Sequence, residues 1–138
     1  MMKFEEKRGK VLLLEDVLLE QLRFQRTIEI LKLGIDLTIA NNGKEGISLL
    51  KNEETIPDLI LIDINMPGQN GIEFLKELKS ISHLKNIRTV AFTTSNDPQV
   101  IDMCYENGIS SFIHKPMNPN QYKETVKLLI TYWKLNIR

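Results

Sequence analysis

Two runs of aliphatic residues constrain the fold of this chain most. They are residues 11–14 (VLLL) and residues 59–62 (LILI). A strand that is apolar at successive positions must be covered on both faces, which is typical of a parallel sheet flanked by helices. The first run is followed by Glu15 and Asp16, and the second by Asp63. The chain is therefore expected to contain a buried sheet with acidic side chains at the ends of its strands.

The rest of the chain alternates between strand and helix patterns. Apolar residues at Leu19, Leu22, Ile28 and Leu31 recur at helical spacing, and Gly34 is a suitable stop. The pattern predicts strands over about 10–14, 35–40, 59–62, 89–92 and 111–114, and helices over about 17–33, 44–51, 71–81, 98–107 and 120–135. Strands that alternate with helices pair in parallel through right-handed crossovers. The predicted fold class is α/β, a doubly wound five-stranded parallel sheet with helices on both faces.

Length and charge narrow the classes of function. With 138 residues the chain is expected to form one domain. The 18 basic and 18 acidic residues give a formal net charge of zero, so neither a nucleic-acid footprint nor a membrane-binding surface is expected. The sequence has no run long enough to span a membrane and no signal-peptide core, and its one cysteine, Cys104, cannot form an internal disulfide. We therefore expect a cytoplasmic location.

Polar residues end four of the predicted strands. They are Glu15 and Asp16, Asp63, Thr93 and Lys115. The carboxyl ends of parallel strands share one edge of a sheet, so these side chains are expected to meet in one crevice. Three carboxylates repel one another unless a cation balances them, and oxygen ligands favour Mg²⁺. A hydroxyl and an ammonium beside the metal suit the oxygens of a phosphoryl group. Taken singly, each residue has a simpler explanation, such as an acid that caps the next helix or a Lys-Pro turn.

With these residues in place, the sequence resembles the receiver domains of two-component response regulators. The resemblance runs from about Lys10 to Trp133. It rests on Glu15-Asp16, on Asp63 within LILIDINMPGQNG, on Thr93 within AFTTS, and on Lys115-Pro116. It implies a flavodoxin-like sheet of order 2-1-3-4-5. From the length we also expect a tail over residues 1–9 and a receiver domain over residues 10–138, with no room for an output domain.

The resemblance implies a role for each residue at the strand ends. Asp63 would be the phosphoacceptor, taking a phosphoryl group from a sensor histidine kinase or a phosphotransfer protein. Glu15, Asp16, Asp63 and the backbone carbonyl of Asn65 would bind Mg²⁺. Thr93 and Lys115 would each contact a phosphoryl oxygen, with the Lys115–Pro116 bond in the cis form. Met66, Pro67 and Gly71 would shape the loop over the phosphoryl group.

The resemblance also implies a switch. Thr93 would move toward the phosphoryl group and vacate space for Phe112, shifting the surface formed by the fourth helix, fifth strand and fifth helix toward a form that binds a downstream protein. Phe112 lacks the hydroxyl of the tyrosine that many family members carry. Asn65 and Ser95 would tune the rate of dephosphorylation. The exposed side chains of the last helix are candidates for contact with a second copy of the chain, which would form a homodimer.

Two other functions fit part of the pattern. A phosphatase of the haloacid dehalogenase type also uses an aspartate after a buried strand, but its second aspartate would stand at Asn65. A degenerate receiver that serves as a scaffold would be expected to lack one of the strand-end residues, and none of the five is lost. We therefore expect a signalling switch that catalyses only its own phosphorylation and dephosphorylation, and not an enzyme that turns over a substrate.

Overall fold

The computed structural model describes residues 8–52, 56–66 and 70–135, and within them it forms one parallel sheet between two layers of helices. The strands are β1 (Gly9–Leu14), β2 (Ile35–Ala40), β3 (Leu59–Ile62), β4 (Arg88–Thr93) and β5 (Ser111–His114). The helices are α1 (Leu18–Leu31), α2 (Gly43–Leu50), α3 (Gly71–Ser80), α4 (Pro98–Glu106) and α5 (Pro119–Leu135). The strand order is β2-β1-β3-β4-β5, with every pair parallel. The predicted fold class and strand order are confirmed.

The central strands bury side chains on both faces, as their aliphatic runs require. One core contains Leu12, Leu14, Ile60 and Ile62 together with Phe74 of α3. The other core contains the alternate strand residues with aromatic side chains from α1 and α5, and its largest members are Phe24, Phe92 and Tyr122. Because successive residues of β1 and β3 enter opposite cores, a change of register by one residue would exchange the two sets.

Polar side chains cap the starts of four helices, and at α5 the Asn118 side chain accepts from the N–H groups of Asn120 and Gln121 at 2.9 and 3.1 Å. At the start of α2, the Asn42 side chain accepts a hydrogen bond from the Glu45 N–H at 2.8 Å. At the starts of α3 and α4, the side chains of Asn70 and Asp97 each accept a hydrogen bond from a backbone N–H of their own helix. After α1, Lys32 and Gly34 take positive φ angles of 49° and 66°. The chain reverses there into β2 because these residues leave the helical conformation.

The predicted helix is present as α1, but the leucines whose spacing indicated it do not all lie on its buried face. Leu19 and Leu22 are 77% and 47% exposed. The buried residues of the helix are Gln21, Phe24, Thr27 and Ile28. A polar contact explains this orientation, because the Gln21 amide donates to the Glu15 carbonyl at 2.6 Å and ties the first turn of α1 to the end of β1. Leu19 and Leu22 then face outward.

Backbone hydrogen bonds continue past the last residues of the strands. The Glu15 N–H donates to the Ala40 carbonyl at 3.0 Å, and the Asp63 N–H donates to the Leu14 carbonyl at 3.0 Å. The Lys115 N–H donates to the Thr93 carbonyl at 2.7 Å. The polar residues that follow the strands are thus held in register with the sheet. Across the described ranges, no helix combines the length and apolar character needed to span a membrane.

Candidate functional site

Three carboxylates meet at the carboxyl edge of the sheet. One oxygen each from Glu15, Asp16 and Asp63 lies within 4.8 Å of the others. Glu15 is almost completely buried, and the other two are half-buried. The Oδ1 atom of Asp16 is buried and has no hydrogen-bond partner among the described residues. A buried carboxylate oxygen without a donor is costly, and a bound cation would satisfy it.

Asp63 contacts Thr93 and the segment that follows β3. Its Oδ1 atom accepts hydrogen bonds from the Thr93 hydroxyl at 2.8 Å and from the Asn65 N–H at 3.1 Å. Thr93 is fully buried, and its hydroxyl oxygen accepts a bond from the Ser95 N–H at 3.3 Å. Both hydrogen bonds that described residues make to the Asp63 carboxylate fall on Oδ1. The Oδ2 atom is therefore the oxygen with spare capacity for a ligand.

Lys115 places its ammonium against the carboxylates. Its Nζ lies 2.9 Å from Oε1 of Glu15 and 3.4 Å from Oε2 of Glu20. The lysine side chain is only 6% exposed. The expected cis bond before Pro116 is wrong, because the Lys115–Pro116 bond is trans. The hydrogen bond from the Lys115 N–H to Thr93 already brings the residue to this edge, so the ammonium reaches the acids with a trans bond.

Burial and the attraction between Glu15 and Lys115 shift the pKa of each group in opposite directions. Burial raises the pKa of Glu15 to about 7, and the negative charge of Asp63 adds to this effect while Lys115 opposes it. Burial alone would lower the pKa of Lys115, but the hydrogen bond to Glu15 and the charges of Glu15, Asp63 and Glu20 raise it. The lysine thus remains a cation among acids. The strand-end site, defined as Glu15, Asp16, Asp63, Thr93 and Lys115, carries more negative than positive charge when its acids are ionised.

The remaining predicted residues lie around the strand-end site in different ways. Asn65 and Ser95 reach it through their backbone N–H groups, and the Asn65 side chain is exposed. Phe112 is half-buried and packs against the core that contains Ala91. Gly71 donates its N–H to the Ile64 carbonyl at 3.2 Å, next to Asp63. The predicted loop residue Pro67 lies outside the described residues.

Two residues of the site were not predicted from the sequence. Gln21 joins the Glu15 carbonyl to the Asn41 side chain, with its amide nitrogen 2.6 Å and 2.7 Å from the two acceptors. Glu20 is the second carboxylate beside Lys115. Gln21 gave no signal in the sequence, because its hydrogen bonds to Glu15 and Asn41 are tertiary contacts. Glu20 gave no signal either, since an acid in the first turn of a helix is common.

The donor set fits a hard divalent cation. The side-chain atoms that could bind a metal in the three-acid group are all carboxylate oxygens. Mg²⁺ prefers oxygen ligands over nitrogen or sulfur ligands. Among the described residues no group donates to the buried Oδ1 of Asp16, so this oxygen could bind such an ion. Glu15, Asp16 and Asp63 are the residues that would hold the ion.

The sequence also matches a family of known proteins. A family model described as the response regulator receiver domain matches residues 11–127. The chain is 38% identical to the sensor histidine kinase CheAY of Helicobacter pylori over 94 residues, which cover 68% of this chain and 12% of that protein. It is 36% identical to the nitrate/nitrite response regulator NarL of Escherichia coli over 96 residues, 66% of this chain and 42% of NarL. The chain thus spans less than half the length of either relative.

Solved structures with the same fold cover nearly the whole chain. The phosphorylated cyanobacterial phytochrome response regulator RcpA superposes with a TM-score of 0.84 at 28% identity, covering 92% of this chain and 94% of RcpA. The Mn²⁺-bound form of response regulator Rcp1 gives a TM-score of 0.81 at 27% identity, covering 91% and 94% of the two chains. Family model, sequence relatives and fold agree, and the chain belongs to the family of response regulator receiver domains.

Proposed function

We propose that this protein is a phosphorylation-controlled switch in which Asp63 accepts a phosphoryl group from a sensor histidine kinase or a phosphotransfer protein. The observation that carries the proposal is the grouping of Asp63 with two more carboxylates, a hydroxyl and an ammonium at one edge of the sheet. Among its structural relatives, one is described as phosphorylated and one as Mn²⁺-bound, which supports the same chemistry here.

In the proposed reaction, Asp63 is the nucleophile. Its Oδ2 atom forms a bond to phosphorus while the phosphorus–nitrogen bond of a phosphohistidine breaks, and that electron pair stays on the imidazole nitrogen. The hydroxyl of Thr93 then donates to one phosphoryl oxygen, and the ammonium of Lys115 pairs with another. Mg²⁺ bound by Glu15, Asp16, Asp63 and the Asn65 carbonyl would neutralise charge on the phosphoryl oxygens. Hydrolysis by water would release phosphate and restore the carboxylate.

The conformational change would be transmitted from Thr93 to Phe112. Ala91 pairs with Phe112 in the register of β4 and β5, and Ala91 and Thr93 lie on the same face of β4. The Phe112 ring therefore lies on the face that contains the Thr93 side chain. If the hydroxyl of Thr93 turned toward a phosphoryl group, the ring would gain space beside β4. The surface of α4, β5 and α5 would then change its preference for a downstream protein.

Asn65 and Ser95 would set the lifetime of the phosphoryl group. Each lies two residues beyond a member of the strand-end site, and each backbone N–H is bonded to that site. The exposed side chain of Asn65 would flank the water that attacks the phosphoryl group. We expect Asn65→Ala to change the rate of phosphoryl loss without preventing phosphorylation. Identical decay curves for the variant and the parent protein would remove this role.

The proposed phosphorylation is tested with acetyl phosphate as a donor. The protein is incubated with Mg²⁺ and acetyl phosphate, and intact mass is measured before and after treatment with base. We expect one base-labile phosphoryl group per chain, no adduct in Asp63→Asn, and a normal adduct in Asp102→Asn, which alters an exposed acid of α4. Continuous hydrolysis of varied phosphate esters would indicate a phosphatase. Complete absence of an adduct in the parent protein would contradict the proposal and favour a scaffold.

A further inference from the structure

The ammonium of Lys115 is held by two carboxylates with different surroundings. Oε1 of Glu15 is 2.9 Å from the ammonium and Oε2 of Glu20 is 3.4 Å from it. Glu15 also belongs to the three-acid group that would hold a cation, and Glu20 lies outside that group. A metal ion would therefore bind Glu15, the first partner of Lys115, but would not bind Glu20, the second partner.

The Glu20 oxygen that faces Lys115 is only partly satisfied. Oε2 is buried although the side chain as a whole is 30% exposed, and within the described ranges it has no hydrogen-bond partner. Charge-assisted hydrogen bonds have lengths of about 2.7–2.9 Å, so the 3.4 Å contact is an ion pair that has not closed to a hydrogen bond. A small movement of the ammonium toward Glu20 would close it.

The outer side of Glu20 is held by a second cation. Arg23 lies one turn later on α1, with Nη1 3.9 Å from Oε1 of Glu20. The Arg23 guanidinium stacks on the ring of Tyr122, 3.7 Å from its centroid, and its Nη2 donates to the Met117 carbonyl at 3.4 Å. These contacts tie α1 to the β5–α5 connection. They direct Oε1 outward and leave Oε2 to face Lys115.

From this arrangement we propose that Glu20 is a positioning residue for Lys115, keeping the ammonium at the strand-end site when a divalent cation engages Glu15. The inference rests on the proposed function. A cation at the three acids would repel the ammonium and weaken its contact with Glu15. A carboxylate outside the metal-binding group offsets this repulsion. Lys115 would then remain within reach of a phosphoryl oxygen on Asp63.

The first test observes the lysine itself. A buried ammonium in an ion pair exchanges slowly with water and gives its own proton–nitrogen NMR signal, which Lys115→Met would assign by its loss. In the parent protein we expect this signal both without and with Mg²⁺. In Glu20→Gln we expect it without Mg²⁺, because Glu15 still holds the ammonium, and we expect it to be lost when Mg²⁺ is added. Glu29→Gln, which removes an exposed acid from the same helix, should behave like the parent.

The second test measures affinity for beryllofluoride, an analogue of the phosphoryl group, in the presence of Mg²⁺. We expect Glu20→Gln to weaken beryllofluoride binding by about tenfold, which corresponds to the loss of one charge-assisted hydrogen bond. Glu20→Asp keeps the charge on a shorter side chain and should recover part of the affinity. Because an acid in the first turn of α1 also favours the helix dipole, the stability of each variant has to be compared with its affinity for beryllofluoride. Urea unfolding of each variant confirms that the fold is retained.

The outcomes separate the two proposals. If the parent protein forms the Asp63 adduct, but Glu20→Gln keeps its lysine signal with Mg²⁺ and binds beryllofluoride like Glu29→Gln, the role of Glu20 is wrong and the proposed function stands. If the parent protein forms no adduct, the proposed function fails and this inference fails with it. Loss of the signal only in Glu20→Gln with Mg²⁺, together with weaker beryllofluoride binding, supports it.

Discussion

Replacement of Gly71 by alanine should destabilise the fold and disturb Asp63 together. Gly71 is the first residue of α3, and its N–H is bonded to the Ile64 carbonyl. A Cβ atom at this position would lie 2.8 Å from Cγ2 of Ile62, 2.8 Å from Cα of Ile64 and 2.9 Å from Cδ1 of Ile64. Real Cβ atoms essentially never approach other atoms so closely. Because one of the three is a backbone atom, a rotamer change cannot relieve the contact.

The size of the effect follows from two opposing terms. Overpacking of a well-filled interior costs about 1–3 kcal/mol, and the backbone contact favours the upper part of that range. Alanine in place of glycine within a helix recovers at most about 1 kcal/mol, and less at a first helical position. The expected net loss is about 2 kcal/mol in the free energy of unfolding. Ile62 and Ile64 flank Asp63, so displacement of either would also shift the carboxylate away from Thr93.

Urea denaturation gives the stability, and the rate of phosphorylation by acetyl phosphate gives the effect on Asp63. Gly46→Ala is the matched control in α2, because its Cβ would meet only side-chain atoms, Leu14 Cδ1 and Phe74 Cε1, both at 3.0 Å. We expect the control to lose less stability than Gly71→Ala and to be phosphorylated at the parent rate. A Gly71→Ala protein as stable as the parent would refute the steric argument.

Three further predictions address other parts of the molecule. Asp16→Asn should weaken Mg²⁺ binding, measured by calorimetry, by at least about tenfold, because it removes the charge of one of the three carboxylates that would hold the ion. Asn42→Ala should cost about 1 kcal/mol in urea unfolding through loss of the cap on the Glu45 N–H, and an unchanged midpoint would contradict that cap. Burial raises the pKa of Cys104, so alkylation of this thiol in the folded protein should be slow. The alkylation rate should still rise with pH above about 9, where the rate for an exposed thiol reaches a plateau. Rapid alkylation at pH 8 would show that the thiol is accessible.

The fold was predictable because its main signals are local. The aliphatic runs in β1 and β3 demanded cover on both faces, and the predicted helix starts near residues 44 and 98 agree with the starts of α2 and α4. The orientation of α1 was less accessible, because the helix carries more leucine than one face can bury. Leu19 fits a helical stripe as well as Phe24 does, and only the contact of Gln21 with the Glu15 carbonyl selects the buried face. Periodicity cannot report such a tertiary contact.

The same distinction explains which parts of the strand-end site were predictable. Glu15, Asp63 and Lys115 are positioned by backbone hydrogen bonds that extend the sheet, so the sequence order of the strands was enough to place them at one edge. Glu20 is positioned by side-chain contacts with Arg23 of its own helix and with Lys115 after β5, and no local pattern encodes the second contact. The backbones of residues held by the sheet should keep their positions when a neighbouring side chain is changed. The Lys115 backbone is held by the sheet, but the position of its ammonium depends on the carboxylates around it. When Mg²⁺ is bound, a substitution at Glu20 should therefore move that ammonium and leave the Asp63 backbone where it is.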